Sequence, residues 1–250
     1  MEDNQILGTL LIAVTLILVL ITTNFLRRGR LRPTLRPIAA YDNVPRLVGL
    51  SIEASRPIHL SIGSSGIGDE STLLAIASAE LAYQVTVQTA IGDASPILTM
   101  TNTSAIPLGQ DTLRRAYQSR DLVERYSPNN VRWYPTGSRS LAFAAAITAL
   151  IADDNTAGSV LGGSYGPELA LILDASQRRN QYTIAVSDQL EGQAIAYALA
   201  DDALIGEEIF AAGSYLDGGS VQMAESVVVD ILRWLVIIGI IVGFIVGFLD

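Results

Sequence analysis

The stretch Ile58-His59-Leu60-Ser61-Ile62-Gly63-Ser64-Ser65-Gly66-Ile67-Gly68-Asp69-Glu70 decides the fold. A short apolar run with β-branched members stops at Gly63. From Asp69 to about Ala90, Leu73, Leu74, Ala77, Leu81 and Val85 recur at helical spacing. Strand, glycine turn and helix make the opening of a βα unit.

The same alternation continues outward. Pro96 to Thr101, Val131 to Tyr134, Ser159 to Leu161 and Tyr182 to Val186 read as strands. Gln110 to Arg125, Ser138 to Ile151, Pro167 to Ala175 and Gln189 to Ala200 read as helices, with Ser138 placed to cap its helix. Ala203 to Ile205 is a last short apolar stretch. Strands alternating with helices predict an α/β fold. The expected form is a Rossmann-like three-layer sandwich on a mostly parallel sheet of five or six strands.

The two ends read differently. Ile6 to Leu26 carries no charge over 21 positions, a helix of roughly 31 Å and near the thickness of a bilayer core. Its acidic start, Met1-Glu2-Asp3, is unlike the basic start of a signal peptide. Ile231 to Leu249 is interrupted only by Arg233. These runs predict one N-terminal and one C-terminal transmembrane helix. The expected organisation is a first span over 1–26, an Arg/Pro-rich linker over 27–37, the α/β domain over 38–219, and a helix over 220–250 that continues into the second span. Arg27, Arg28, Arg30 and Arg32 on one flank, with Arg233 and Trp234 at the other span, are expected at lipid headgroups. By the positive-inside rule the α/β domain lies in the cytoplasm of a two-pass protein of a bacterial inner membrane, with both termini outside.

Four stretches read together: Ile58 to Gly68, Ile106-Pro-Leu-Gly-Gln-Asp-Thr-Leu-Arg-Arg-Ala-Tyr117, Val160-Leu-Gly-Gly-Ser-Tyr-Gly-Pro-Glu168, and Asp202 to Leu216. Over roughly residues 36–250 the chain resembles an uncharacterised bacterial family of membrane-anchored domains of unknown function. The resemblance implies the architecture and brings no activity, cofactor or catalytic residue.

Composition narrows the chemistry. The chain is 250 residues long, 50% hydrophobic and 16% charged, with a net charge of −9. Residues 38–229 hold 10 Arg against 21 Asp and Glu, a net of −11. That balance excludes nucleic acid as the main partner. There is no cysteine and one histidine, His59, and all 16 basic residues are arginine. Disulfides, thiolate chemistry, His-His metal motifs and lysine chemistry are therefore excluded. No metal and no cofactor is expected.

The loop Gly63, Ser64, Ser65, Gly66, Gly68, Asp69 sits where a βα turn binds phosphate. Its spacing is G-x-x-G-x-G, and Asp69 and Glu70 place negative charge where a phosphate would go. A tight turn whose glycines permit positive φ is the favoured reading of this loop. Gly162, Gly163 and Ser164 form a similar loop after the fourth strand. With Asn102, Ser138, Tyr165, Ser187 and Asp188 they would share a polar rim, or serve as caps and turns. His59 lies mid-strand, which disfavours a catalytic triad. The adjacent acids Asp153-Asp154, Asp201-Asp202 and Glu207-Glu208 point apart and make poor dyads. The sequence leans away from an enzyme.

Gly239, Gly243 and Gly247 recur every four residues in the last helix, a stripe that lets helix backbones approach. The expected function is a membrane-anchored scaffold that forms a homo-oligomer through its α/β domain and C-terminal span. Its expected partners are the lipid bilayer, its own copies and other membrane proteins. The alternative is a small-ligand sensing or binding module that uses the βα-loop crevice.

Overall fold

The computed structural model describes residues 13, 15–25 and 35–249. The chain divides into two compact units, one of residues 37–212 and one formed by the two ends.

The larger unit is built on six strands. They are β1 (Ile58–Gly63), β2 (Ile97–Met100), β3 (Val131–Trp133), β4 (Gly158–Ser164), β5 (Tyr182–Ser187) and β6 (Asp202–Ala203). Their order is β3-β2-β1-β4-β5-β6, and every pair is parallel. The order reverses between β1 and β4. That is the topological switch point, where open α/β sheets place their ligands beyond the strand C-termini.

Six helices cover the sheet. α1 (Ala39–Ala54), α2 (Thr72–Thr89) and α3 (Ile106–Gln118) pack in sequence as one layer. α4 (Leu141–Asp153), α5 (Leu169–Gln177) and α6 (Leu190–Leu199) pack as the other. Phe143, Ile147 and Ile151 of α4 meet Leu161, Leu169, Leu173 and Ala185 in one buried cluster. Each of the Phe, Ile and Leu side chains contributes about 1.5–3 kcal/mol by leaving water.

α1 is a helix that the alternation alone does not announce, because Pro45 stands inside it. A proline there removes one helical donor. The helix survives because Tyr41, Val44, Leu47 and Val48 all bury one face. Its other contacts are polar: Asn43 Nδ2 donates to Asp202 at 2.9 Å, and Arg46 stacks 5.7 Å from the Tyr182 ring centre. Ser138 does not cap α4. It lies in a separate 3-10 turn, and Ser140, at φ +54°, precedes the helix without a side-chain cap bond.

The smaller unit holds α7 (Ala212–Leu216, its first residue shared with the larger unit's end) and α8 (Ser220–Leu249). The expectation of flanking transmembrane helices is corrected here. Among the described residues, no helix is long and apolar enough to cross a membrane. Of the N-terminal segment, the described residues 13 and 15–25 are helical. α8 runs from Ser220 to Leu249 and carries Glu225, Asp230 and Arg233 in its first half. Arg233 pairs with Asp230 at 3.5 Å. The two-pass topology, the inner-membrane location and the cytoplasmic placement are corrected with the spans. Arg27, Arg28, Arg30 and Arg32 lie outside the described residues. The backbone is helical through Gly239, Gly243 and Gly247, and their surroundings lie outside the described residues too.

Candidate functional site

The C-terminal edge of the sheet gathers the loops singled out by sequence. Gly63 ends β1 at φ +64°, and a Cβ there would lie 2.6 Å from the Ser164 carbonyl and 2.9 Å from the Tyr165 ring. Gly163 is needed for the opposite approach: its Cβ would fall 1.9 Å from the Ile62 carbonyl. The ends of β1 and β4 therefore touch backbone to backbone.

Hydrogen bonds then close the crevice between them. Ser64 donates through N and Oγ to the Ser164 carbonyl at 3.0 and 2.9 Å. The Ser164 amide donates to buried Ser65 Oγ at 2.8 Å. Gln189 Nε2 donates to Ser164 Oγ at 2.8 Å. Ser187 Oγ accepts from the Tyr165 amide at 3.0 Å and donates to the Tyr165 carbonyl at 2.7 Å.

The phosphate-type loop is likewise satisfied from within. The Gly66 amide donates to Ser71 Oγ, Ile67 to Ser104 Oγ, and Gly68 and Asp69 to Thr72 Oγ1. The Asp69 carboxylate accepts from the Ser71 amide at 2.9 Å and its hydroxyl at 2.5 Å. A carboxylate of the chain thus stands where an anion would sit, and the amides that would cradle a phosphate already have acceptors.

Other candidates are drawn into the scaffold. His59 is fully buried between Thr99 Oγ1 at 2.9 Å and Ser159 Oγ at 3.3 Å. Burial, helped by the Arg132 charge, lowers its pKa to about 3, so it is neutral. Asp201 accepts from Thr183 N and Oγ1 at 2.7 and 3.0 Å. Asp202 accepts from the Tyr182 hydroxyl and from Asn43, and Asp154 pairs with Arg132 at 2.6 Å. Glu208 accepts from the Ile205 amide at 2.7 Å. Asn102 accepts from the Ser104 amide at 3.0 Å. Tyr165 is buried with its hydroxyl beside Ser61 and Gly63, closing no hydrogen bond, and burial raises its pKa. Among the described residues no three His, Cys, Asp or Glu side chains converge on a metal position.

The chain belongs to the family of the domain of unknown function DUF6754, which it matches over residues 2–250. No curated protein and no solved structure matches it. DUF6754 membership agrees with an uncharacterised family and leaves the chemistry to the geometry.

Two open clefts lie along this edge of the DUF6754 sheet. The first, about 440 Å³, is lined by Glu70, Leu73, Val186, Asp188, Leu190 and Phe210, with Leu74 and Ile209 also contributing. The second, about 460 Å³, is lined by Ser140, Gly166, Pro167, Glu168, Gln189 and Glu191. Of the rim residues read from sequence, only Asp188 and Ser187 reach the first cleft and none reaches the second. Glu168, Gln189 and Glu191 escape a sequence reading because an acid or amide at the start of a helix is an ordinary dipole partner. The one available signal was their position directly after β4 and β5.

Proposed function

We propose that this DUF6754 protein is a structural, self-associating protein whose α/β units contact one another through the first cleft. One observation carries the reading. Leu73, Leu190 and Phe210 line that cleft and are 71%, 86% and 58% exposed. Large apolar side chains gathered at one exposed place mark an interaction surface.

Their magnitude sets a limit. Covering three such side chains yields about 5–9 kcal/mol gross, while association costs about 4–15 kcal/mol. The cleft alone gives a weak contact. α8 supplies further apolar surface, since Trp234, Val236, Ile240 and Ile241 are all exposed. A second copy of the chain is the occupant proposed for both surfaces.

Sedimentation of the full chain and of Leu190→Asp tests this. The variant is expected to dissociate at concentrations where the parent is assembled. Equal masses, with the variant folded by circular dichroism, would overturn the cleft as the contact.

A further inference from the structure

α6 turns its polar and apolar residues the opposite way from an ordinary surface helix. Gln193 faces inward, accepting from the Ser187 amide at 3.0 Å and donating to the Leu204 carbonyl at 2.9 Å. Gly192 lies so close to the neighbouring loop that a Cβ would fall 2.0 Å from the Tyr165 carbonyl. The outer face is Leu190, Glu191, Ala194, Tyr197 and Ala198, all exposed, with Leu190 and Tyr197 at 86% and 74%. A helix whose outer side meets only water carries polar residues there. Here one carboxylate stands among four apolar side chains.

That face is its own complement. At about 3.6 residues per turn the five residues span one arc centred on Ala194. Leu190 and Tyr197 lie to one side of that centre, and Glu191 and Ala198 to the other. Two copies of α6 set antiparallel about a two-fold axis at Ala194 therefore bring Leu190 of each against Tyr197 of the other. A parallel pairing would instead set Leu190 against Glu191 and crowd the two carboxylates together.

Charge favours the same arrangement. Glu191 lies on the α5 side of α6, since it shares the second cleft with Gly166 and Pro167, just before α5. At the other end Gln177 Nε2 donates to the Leu199 carbonyl at 2.6 Å. The C-terminus of α5, followed by exposed Arg178 and Arg179, thus lies beside the C-terminus of α6. The acids at that end are engaged within the chain, Asp174 by Arg178 at 2.8 Å and Asp201 by Thr183. Antiparallel pairing carries Glu191 of each copy to the arginine end of the other.

We infer that two copies of the chain pair α6 against α6, antiparallel about Ala194, with Leu190 on Tyr197 and Glu191 facing Arg179 on each side of the axis. The inference rests on the self-association proposed above and names its symmetric element. Such a contact uses the same patch on both copies and closes as a dimer. Leu190 also lines the first cleft, so helix face and cleft form one continuous surface.

The chain has no cysteine, which makes cross-linking a direct test. Helix axes about 8–10 Å apart, with Cα atoms about 2.3 Å off axis, bring the two Ala194 Cα atoms to about 3.5–5.5 Å, within reach of a disulfide. Under mild oxidation full-length Ala194→Cys is expected to form a covalent dimer, while Gln118→Cys, exposed at the end of α3, does not. Glu191→Arg and Arg179→Glu are each expected to weaken assembly at least about threefold, and the double reversal to recover most of the loss. An assembled parent whose Ala194→Cys variant cross-links no faster than Gln118→Cys would overturn the α6 pairing and leave self-association standing. So would single reversals without effect. A parent that sediments as a monomer would overturn both.

Discussion

Ser64 and Ser164 tie the two central strands together at the place where an open α/β sheet usually leaves room for a ligand. Both the amide and the hydroxyl of Ser64 donate to the Ser164 carbonyl, at 3.0 and 2.9 Å. With the return bond from the Ser164 amide to Ser65, the switch-point crevice becomes part of the framework. Open space is displaced to either side, into the two clefts.

Closure of the crevice depends on Gly63. Gly63→Ala would force a Cβ to 2.6 Å from the Ser164 carbonyl at a backbone angle of +64°. A left-handed conformation costs a non-glycine residue about 1–2 kcal/mol before any clash. The expected loss is about 2–4 kcal/mol, read as a lower urea midpoint with an unchanged slope.

Ser65→Ala would remove the acceptor of a buried amide, that of Ser164. An unsatisfied buried donor costs about 1–3 kcal/mol. Urea denaturation should show that loss, and hydrogen exchange should show the Ser164 amide losing protection. A stability equal to the parent's would mean that another acceptor replaces the hydroxyl.

His59 predicts a pH dependence with a definite sign. Its folded pKa, about 3, lies below the ordinary value of 6.5. The unfolded chain therefore binds a proton first as pH falls. The contribution of neutral His59 is complete above pH 6.5 and declines as pH drops from there toward 3. One proton across the interval from pH 6.5 to 5 corresponds to about 2 kcal/mol. Denaturation at those two pH values should show the fall, and His59→Asn should flatten it. An equal slope in the variant would assign the dependence to other groups.

Exposure of the first cleft makes its own prediction for Leu73. Leu73→Ser lies on the open side of α2 and at 71% exposure leaves the core intact. Its effect on monomer stability should stay within about 0.5 kcal/mol, while the mass of the assembly falls. A large loss of stability without a change in mass would place Leu73 in the fold instead of the interface.

Legibility of the sequence follows the range of each signal. The strand-turn-helix at Ile58 to Thr89 is local, and glycine and apolar spacing announce it. Sheet order is not local, and the pairing of β1 with β4 across 100 residues is set by packing. α1 escapes because Pro45 signals a break while the buried face of Tyr41, Val44, Leu47 and Val48 outweighs it. The polar rim was legible as residue types, yet Ser65 bonds to Ser164 and Ser187 to Tyr165, which composition cannot show. Glu168 was illegible for the converse reason: its burial arises from the turn at Gly166 and from Gln189, supplied by another loop. Apolar runs at the ends suggested spans through their composition, while among the described residues no helix is long and apolar enough to cross a membrane.

The mass of the purified full chain, measured by sedimentation equilibrium from sub-micromolar to about 100 μM, tests self-association most directly. An oligomer that dissociates on dilution, and that Leu190→Asp reduces to a monomer of 26.6 kDa, is the predicted result. A monomer throughout that range would contradict it, and would leave the apolar cleft around Leu73, Leu190 and Phe210 to a different partner.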